Sequence, residues 1–319
     1  MHTEALVQLA LDILSCSQKE LADRLKVSPT QISKWKKGEH MSHDMETKLR
    51  KLANIGDRDP QFVVWAGSID DADKWDKLIH YLASQAMEDA ETGYDTDPLR
   101  DEIGLLSWQT FHTMTQMGVA IPKGFPKELD IDYDHDSDES DIESAWELIE
   151  GNPHAWLIFE MFKSLNDVYG FYAAYVNELV FDDELDLMNT PACNIEACLL
   201  ELAASKLEEP RIATRFREFK RHTNKDYEEW LGIVKDRAFR AGVPLRAELL
   251  ELVHESAGAL GHSAEAESQG INAARLHPDV YMNELLCGMR VIHQVLPAIL
   301  KKLGIDEEFK LNESELWIR

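Results

Sequence analysis

The chain is short of several things. It has four cysteines in 319 residues (Cys16, Cys193, Cys198 and Cys287) and no Cys-x-x-Cys pair. That excludes a disulfide framework and leaves free thiols in a reducing, cytoplasmic compartment as the reading. The opening Met-His-Thr-Glu-Ala-Leu lacks the basic start of a secretory signal, so none is expected. The longest apolar stretch, Ala155 to Phe181, is interrupted by Glu160, Lys163, Asp167 and Glu178. It reads as a buried helix, not a membrane span. Convincing strand alternation is missing, and so is any repeat of 30 to 45 residues. There is no glycine-rich phosphate loop, nucleophile elbow, or Ser/His/Asp or Cys/His pattern above background. An enzyme is therefore not expected, nor is a cofactor.

Positive charge is scarce too. Lys and Arg number 33 against 59 Asp and Glu, a net charge of −26. The imbalance is uneven. Residues 1–55 hold nine Lys/Arg and seven Asp/Glu, a net of +2, and the remainder is at −28. Nucleic-acid binding depends on charge at the contact face. A weakly basic head on an acidic body is compatible with it if the body turns away from the duplex.

The head carries the densest local signal, from Cys16 to Lys37. Ser17 is an N-cap, and Glu20 three residues on completes a capping box. Leu21, Ala22 and Leu25 share a face. Lys26 and Val27 form a turn. Ser28 caps a second helix, with Pro29 at its first position, Ile32 and Trp35 as its inner pair and Gly38 past its end. Thr30, Gln31, Ser33, Lys34 and Lys37 point away from that pair. All can donate hydrogen bonds and none is acidic, which suits the acceptor-rich major groove and the phosphates beside it.

The pattern Ser-Gln-x-Glu-Leu-Ala-x-x-Leu-x-Val-Ser-x-x-x-Ile-Ser-x-Trp-x-x-Gly resembles the Cro/repressor-like (XRE-type) helix-turn-helix family over residues 3 to 55. Lys26 departs from it, standing where the family usually has Gly. The resemblance implies a lambda-repressor-like helical bundle that binds double-stranded DNA as a homodimer at palindromic operators, as a repressor. It implies Thr30, Gln31 and Lys34 as base readers. Gln18, Ser28, Ser33, Lys36 and Lys37 are the matching candidates for backbone contacts.

The rest of the chain extends the all-α expectation. Thr3 caps a first helix with Leu6, Leu9, Ala10, Ile13 and Leu14 on one face, and Ser42 caps a fourth with Met45, Leu49, Leu52 and Ala53. Gly56 to Pro60 reads as a linker, giving a DNA-binding domain at 1–56 and an acidic helical domain at 57–319. Helices are expected from Ser68 to about Glu91, and from Asp97-Pro98 to Gly118. An acidic loop follows at 119–141, then a helix from Ser140 or Asp141 to Glu150. Asn152-Pro153 starts a long aromatic helix, and Thr190-Pro191 another, to about Leu207. Further starts are expected at Glu209-Pro210, Thr223, Val243-Pro244 and His277-Pro278, with the last long helix ending at Gly304. The tail from Phe309 to Arg319 fits a strand or an extended arm equally.

Three further constellations stand against plainer readings. Asp132, Asp134, Asp136 and Glu143 fall at calcium-loop positions 1, 3, 5 and 12, but Ser137 replaces the required glycine and Glu139 an apolar residue. A mobile acidic loop is the plainer reading, with DNA mimicry, a cover over the basic head or a metal site as alternatives. Glu251-x-x-His254, with Glu248 and Glu255 nearby, is half of a di-iron pattern without its second half. A satisfied or surface histidine is expected, and no metal. Trp156, Phe159, Phe162, Tyr169, Phe171, Tyr172 and Tyr175 span more than one helical face, so core packing is the default, with a ligand pocket or interface behind it.

These readings converge on a sequence-specific transcriptional regulator. Its C-terminal region would supply dimerisation or receive a small-molecule, peptide or protein effector, and stacked helical hairpins there would make a peptide-binding superhelix. The competing reading is an antitoxin-like or phage-type interaction protein whose acidic body binds a basic partner.

Overall fold

A polar cap followed by proline starts several helices of the computed structural model, which describes residues 3–133, 139–195, 198–271 and 275–305. Ser28, Asp59 and Asn152 each accept a backbone N–H from the first turn beyond them, and Pro29, Pro60 and Pro153 occupy the position where a missing N–H costs nothing. His277-Pro278 follows the same plan, with the imidazole as acceptor.

Among the described residues the chain is mainly helical, with no named strand. The N-terminal part contains α1 (Thr3–Ile13), α2 (Gln18–Leu25), α3 (Pro29–Trp35), α4 (His43–Ala53) and α5 (Pro60–Ala66). Next come α6 (Ile69–Glu88), α7 (Asp97–Arg100), α8 (Leu106–Gln116), α9 (Glu139–Gly151) and α10 (Pro153–Tyr175). The remainder is α11 (Asn177–Val180), α12 (Ala192–Ile195), α13 (Leu199–Ser205), α14 (Phe216–Ala241), α15 (Glu251–His254), α16 (Ala257–Ser268) and α17 (Pro278–Leu303). Strand pairing in this part of the chain amounts to two isolated bridges, Val119 with Ala213 and Arg246 with Leu276. The all-α expectation holds.

Several boundaries differ from the sequence reading. The helix expected from Asp97 to Gly118 is two. Asp101 takes a left-handed φ of 50°, and its carboxylate accepts the N–H groups of Leu105 and Leu106 at 2.6 and 3.0 Å, which stops α7 and starts α8. The helix expected from Thr190 to Leu207 is split into α12 and α13. Thr223 lies buried inside α14, which starts at Phe216 and not near Pro210. Val243-Pro244 leads into a 3-10 turn at Ala247–Leu250 before α15. Within 119–141, Lys127–Leu129 forms a 3-10 turn and α9 begins at Glu139. Of the calcium-like pattern, Asp134 and Asp136 lie outside the described residues, as do the side chain of Glu143 and the tail from Phe309.

α10 is the centre of the body. It is apolar on nearly every face, and α6, α9, α13 and α16 pack around it. Its few polar groups are satisfied locally. Ser164 donates to the Ala203 carbonyl at 2.7 Å, and Asn166 accepts from Thr96 at 2.7 Å while donating to the Ala86 carbonyl at 2.5 Å. Losing one partner of such a buried pair costs about 1–3 kcal/mol, so these bonds fix how neighbouring segments seat on the helix. Two glycines permit close approach. A Cβ on Gly170 would lie 2.6 Å from Thr92, and one on Gly261 would lie 2.1 Å from the Asp167 carboxylate.

The stretch expected as a linker, Gly56 to Pro60, is ordered as the entry to α5. Phe62, Val63 and Ala66 of α5 are buried, and the helix packs on α1 on one side and α6 on the other. One apolar core runs from Leu6 and Leu21 through Phe62 and Trp75 into α10. No helix among the described residues is long and apolar enough to cross a membrane.

Candidate nucleic-acid interface

α2 and α3 are built as the local chemistry demands. Ser17 Oγ accepts the Glu20 N–H at 3.3 Å, and the Glu20 carboxylate accepts the Ser17 N–H at 2.7 Å. The Ser17 backbone N–H, and then the Ser17 hydroxyl donating to the same carboxylate at 2.9 Å, hold the Glu20 carboxyl below its usual range. Lys26 ends α2 in the left-handed region at φ 56°, its N–H reaching the carbonyls of Ala22 and Asp23. Ser28 then accepts the Gln31 N–H at 3.2 Å and starts α3. The turn between the two helices is only three residues long, which brings them into direct contact.

Apolar packing fixes the orientation of α3. Ile32 and Trp35 are buried in the apolar cluster that also holds Leu21, Leu25 and Leu49, and α3 packs on α2 and α1. Burying an Ile contributes roughly 1.5–3 kcal/mol and a Trp at least as much, which outweighs the weak helix propensity of a seven-residue segment. The opposite face follows from the 3.6-residue period. Thr30, Lys34 and Lys37 are exposed on it, with Gln31, Ser33 and Lys36 partly exposed at its margins. The first backbone candidate, Gln18, is partly exposed at the N-terminus of α2, and the second, Ser28, is exposed at that of α3. The eight residues singled out from the sequence thus lie on two adjacent helices or at the ends of the second, with Ser28 its N-cap, Lys36 its C-cap and Lys37 just beyond. Thr30, Gln31 and Lys34 share one helix surface.

One neighbour was missed. Lys34 makes an ion pair with Glu39 at 3.3 Å, both side chains about half exposed. Glu39 lies just past the end of α3, where Gly38, at φ 85°, turns the chain back toward it. Spacing along a single helix does not reveal such a pair.

A second cationic surface lies in the acidic body. Residues 210–225 contain Arg211, Arg215, Arg217, Lys220, Arg221 and Lys225 against one acid, Glu218. All six are at least partly exposed around the start of α14. Glu209 pairs with Arg217 at 2.9 Å and mutes part of this charge. Dividing the chain into head and body averaged the cluster away, whereas a running charge window would have found it.

The other constellations take structural places. His254 is exposed at the end of four-residue α15. Glu251 accepts from Ser263 at 2.7 Å. Glu248 is buried, with Arg246 and Arg275 at 3.4 and 3.2 Å. No cluster of three or more metal-ligating side chains occurs among the described residues. Of the α10 aromatics, Phe159, Phe162, Phe171 and Tyr175 are core, whereas Trp156 is 37% exposed. Trp156 lines an open cleft of about 430 Å³ with Pro153, Leu207, Pro210 and Arg211. No protein-family model, curated protein or solved structure matches the chain.

Proposed function

We propose that the chain is a sequence-specific DNA-binding regulator of the Cro/repressor-like kind, which reads its site through α3 and represses by occupying it. The observation that carries the reading is the two-sided build of α3. Ile32 and Trp35 lock its back, Thr30 and Lys34 stand at its front with Gln31 at the margin and Lys37 just past its end, and the helix itself holds no acid. A rigid helix presenting amide, hydroxyl and ammonium donors matches the acceptor pattern of the major groove. Gln31 pairs with adenine and Lys34 with guanine in this reading, while Gln18, Ser28, Ser33, Lys36 and Lys37 contact phosphates.

Selection of a cognate duplex from a random pool, followed by titration, tests this. Gln31→Ala and Lys34→Ala should each weaken cognate binding about tenfold to a hundredfold and random duplex far less. Equal loss on both duplexes removes the base-reading role. A second reading rests on the net charge of −28 outside residues 1–55: an antitoxin-like protein whose body binds a basic partner. Stoichiometric co-elution with such a partner, with no preferred DNA site from the selection, would favour it.

A further inference from the structure

Among the described residues, α17 is the long helix that leaves a continuous apolar stripe uncovered. It joins the body at its root. His277 caps the first turn, Val280 is buried, and Asp279 pairs with Lys235 of α14 at 2.7 Å. Beyond the root, Met282, Leu285, Met289, Ile292, Leu296, Ile299 and Leu303 are each between 42% and 65% exposed. They alternate at spacings of three and four residues along the whole helix, the repeat by which one helix seats its side chains between those of another. Leu286 and Val295 widen the stripe. Pro297, which removes one helical hydrogen bond, lies off it.

We propose that α17 pairs antiparallel with α17 of a second copy of this chain. Charge selects that occupant. Two copies each at −26 repel over most of their surface, yet residues 285–305 contain no Asp or Glu. Charge also selects the direction. Asp279 lies in the first turn, Lys301 and Lys302 in the last. Antiparallel pairing sets the acidic start of one helix beside the basic end of the other, and opposes their dipoles favourably. The apolar register agrees. Setting Met282 against Ile299, Leu285 against Leu296 and Met289 against Ile292 puts the centre of the pair between Arg290 and Val291, the midpoint of Pro278–Leu303, so neither helix overhangs. The helix is about 39 Å long. Its exposed apolar side chains present on the order of 800 Å² per copy, one side of a standard interface. This pairing does not depend on the DNA-binding reading.

The test is the mass of the full-length protein in solution without DNA, by light scattering or sedimentation at micromolar concentration. A dimer is expected, with a Tm that rises with protein concentration. Leu285→Glu combined with Ile292→Glu should give a monomer with unchanged helical circular dichroism, since both side chains are solvent-exposed in the single chain. In a Cys287→Ser background, Leu285→Cys with Leu296→Cys should oxidise to a covalent dimer while neither single cysteine does. A monomeric wild type with a concentration-independent Tm overturns the proposal, as does a dimer indifferent to the glutamates. Efficient cross-linking by Leu285→Cys alone means parallel helices and overturns the antiparallel arrangement. A chain ended at Ile305 that dimerises where the full chain does not shows that the remaining residues cover α17, and overturns it too.

Discussion

Arg58, between α4 and α5, grips Asp73 of α6 through two hydrogen bonds of 2.5 and 2.9 Å. The same guanidinium donates to the Ile55 carbonyl at 3.1 Å, and Arg50 of α4 reaches the Arg58 carbonyl at 2.8 Å. The N-terminal helices are thus fastened to the body by a planar fork whose geometry a lysine cannot copy. Both side chains are about 40% exposed, so solvent screens the pair and its share of global stability is about 1 kcal/mol or less. Arg58→Ala should therefore change the urea midpoint little but raise amide exchange in α5. A double-mutant cycle with Asp73→Asn measures the coupling.

In the proposed complex Glu39 competes with the guanine edge for Lys34. Glu39→Gln keeps the size of the side chain and removes the ion pair at 3.3 Å. The pair is exposed and worth no more than about 1 kcal/mol. Affinity for duplex DNA should rise by up to about fivefold, with a steeper fall as salt increases. Titrations at two salt concentrations check this.

Lys26 occupies a backbone conformation at φ 56° that suits glycine. A side chain there costs about 1–2 kcal/mol, partly offset by the greater flexibility of glycine in the unfolded chain. Lys26→Gly should stabilise the fold by about 0.5–1 kcal/mol, read as a higher Tm. Lys26→Ala should bring no such gain.

Gly261 lets α16 approach Asp167 of α10. A methyl group would sit 2.1 Å from the carboxylate, inside any real contact distance. Burial already pushes the Asp167 carboxyl up to about 6, so the group has little water to retreat into. Gly261→Ala should destabilise by about 2–3 kcal/mol in chemical denaturation, and Gly261→Ala with Asp167→Ala should recover most of that loss.

His277 makes the root of α17 sensitive to acid. Its Nδ1 accepts the Asp279 N–H at 3.2 Å, so the cap requires a neutral ring. Burial lowers its pKa in the fold, Lys235 adds to that, and Asp279 opposes it. A depressed folded pKa means that the unfolded state binds the proton first. The stabilisation is complete above the unfolded value of about 6.5 and is lost as pH falls below it. Between pH 7.5 and 5.5 the wild type should lose more Tm than His277→Asn, which caps without titrating.

Legibility followed range along the chain. The capping box of Ser17 and Glu20, the Ser28-Pro29 start and the αL ending at Gly304 were readable because each is complete within four residues. The break at Asp101 was not. Asp101 turns left-handed and caps α8 with its own carboxylate, and that carboxylate is held in place from a distance, by His80 of α6 at 3.0 Å. Burial of the His80 ring, which alone would lower its pKa, is outweighed by Asp76 and Asp101, and the value ends up raised. Glu248 likewise stood in the sequence only as a neighbour of the Glu251-x-x-His254 pattern. It is buried because Arg246, two residues away, and Arg275, distant in sequence, converge on it.

For the site, the sequence by itself determined which residues α3 turns outward, since helical period and two buried apolar side chains settle that within one turn of chain. It determined the all-α class for the same reason: caps, prolines and apolar spacing act locally. The tertiary structure alone decided that Gly56 to Pro60 enters a packed helix, that Glu39 returns to Lys34, and that no described residue covers the three-four apolar repeat on α17. Whether an apolar stripe is core or open surface depends on which other elements reach it. That is a long-range outcome of packing, and periodicity carries no record of it.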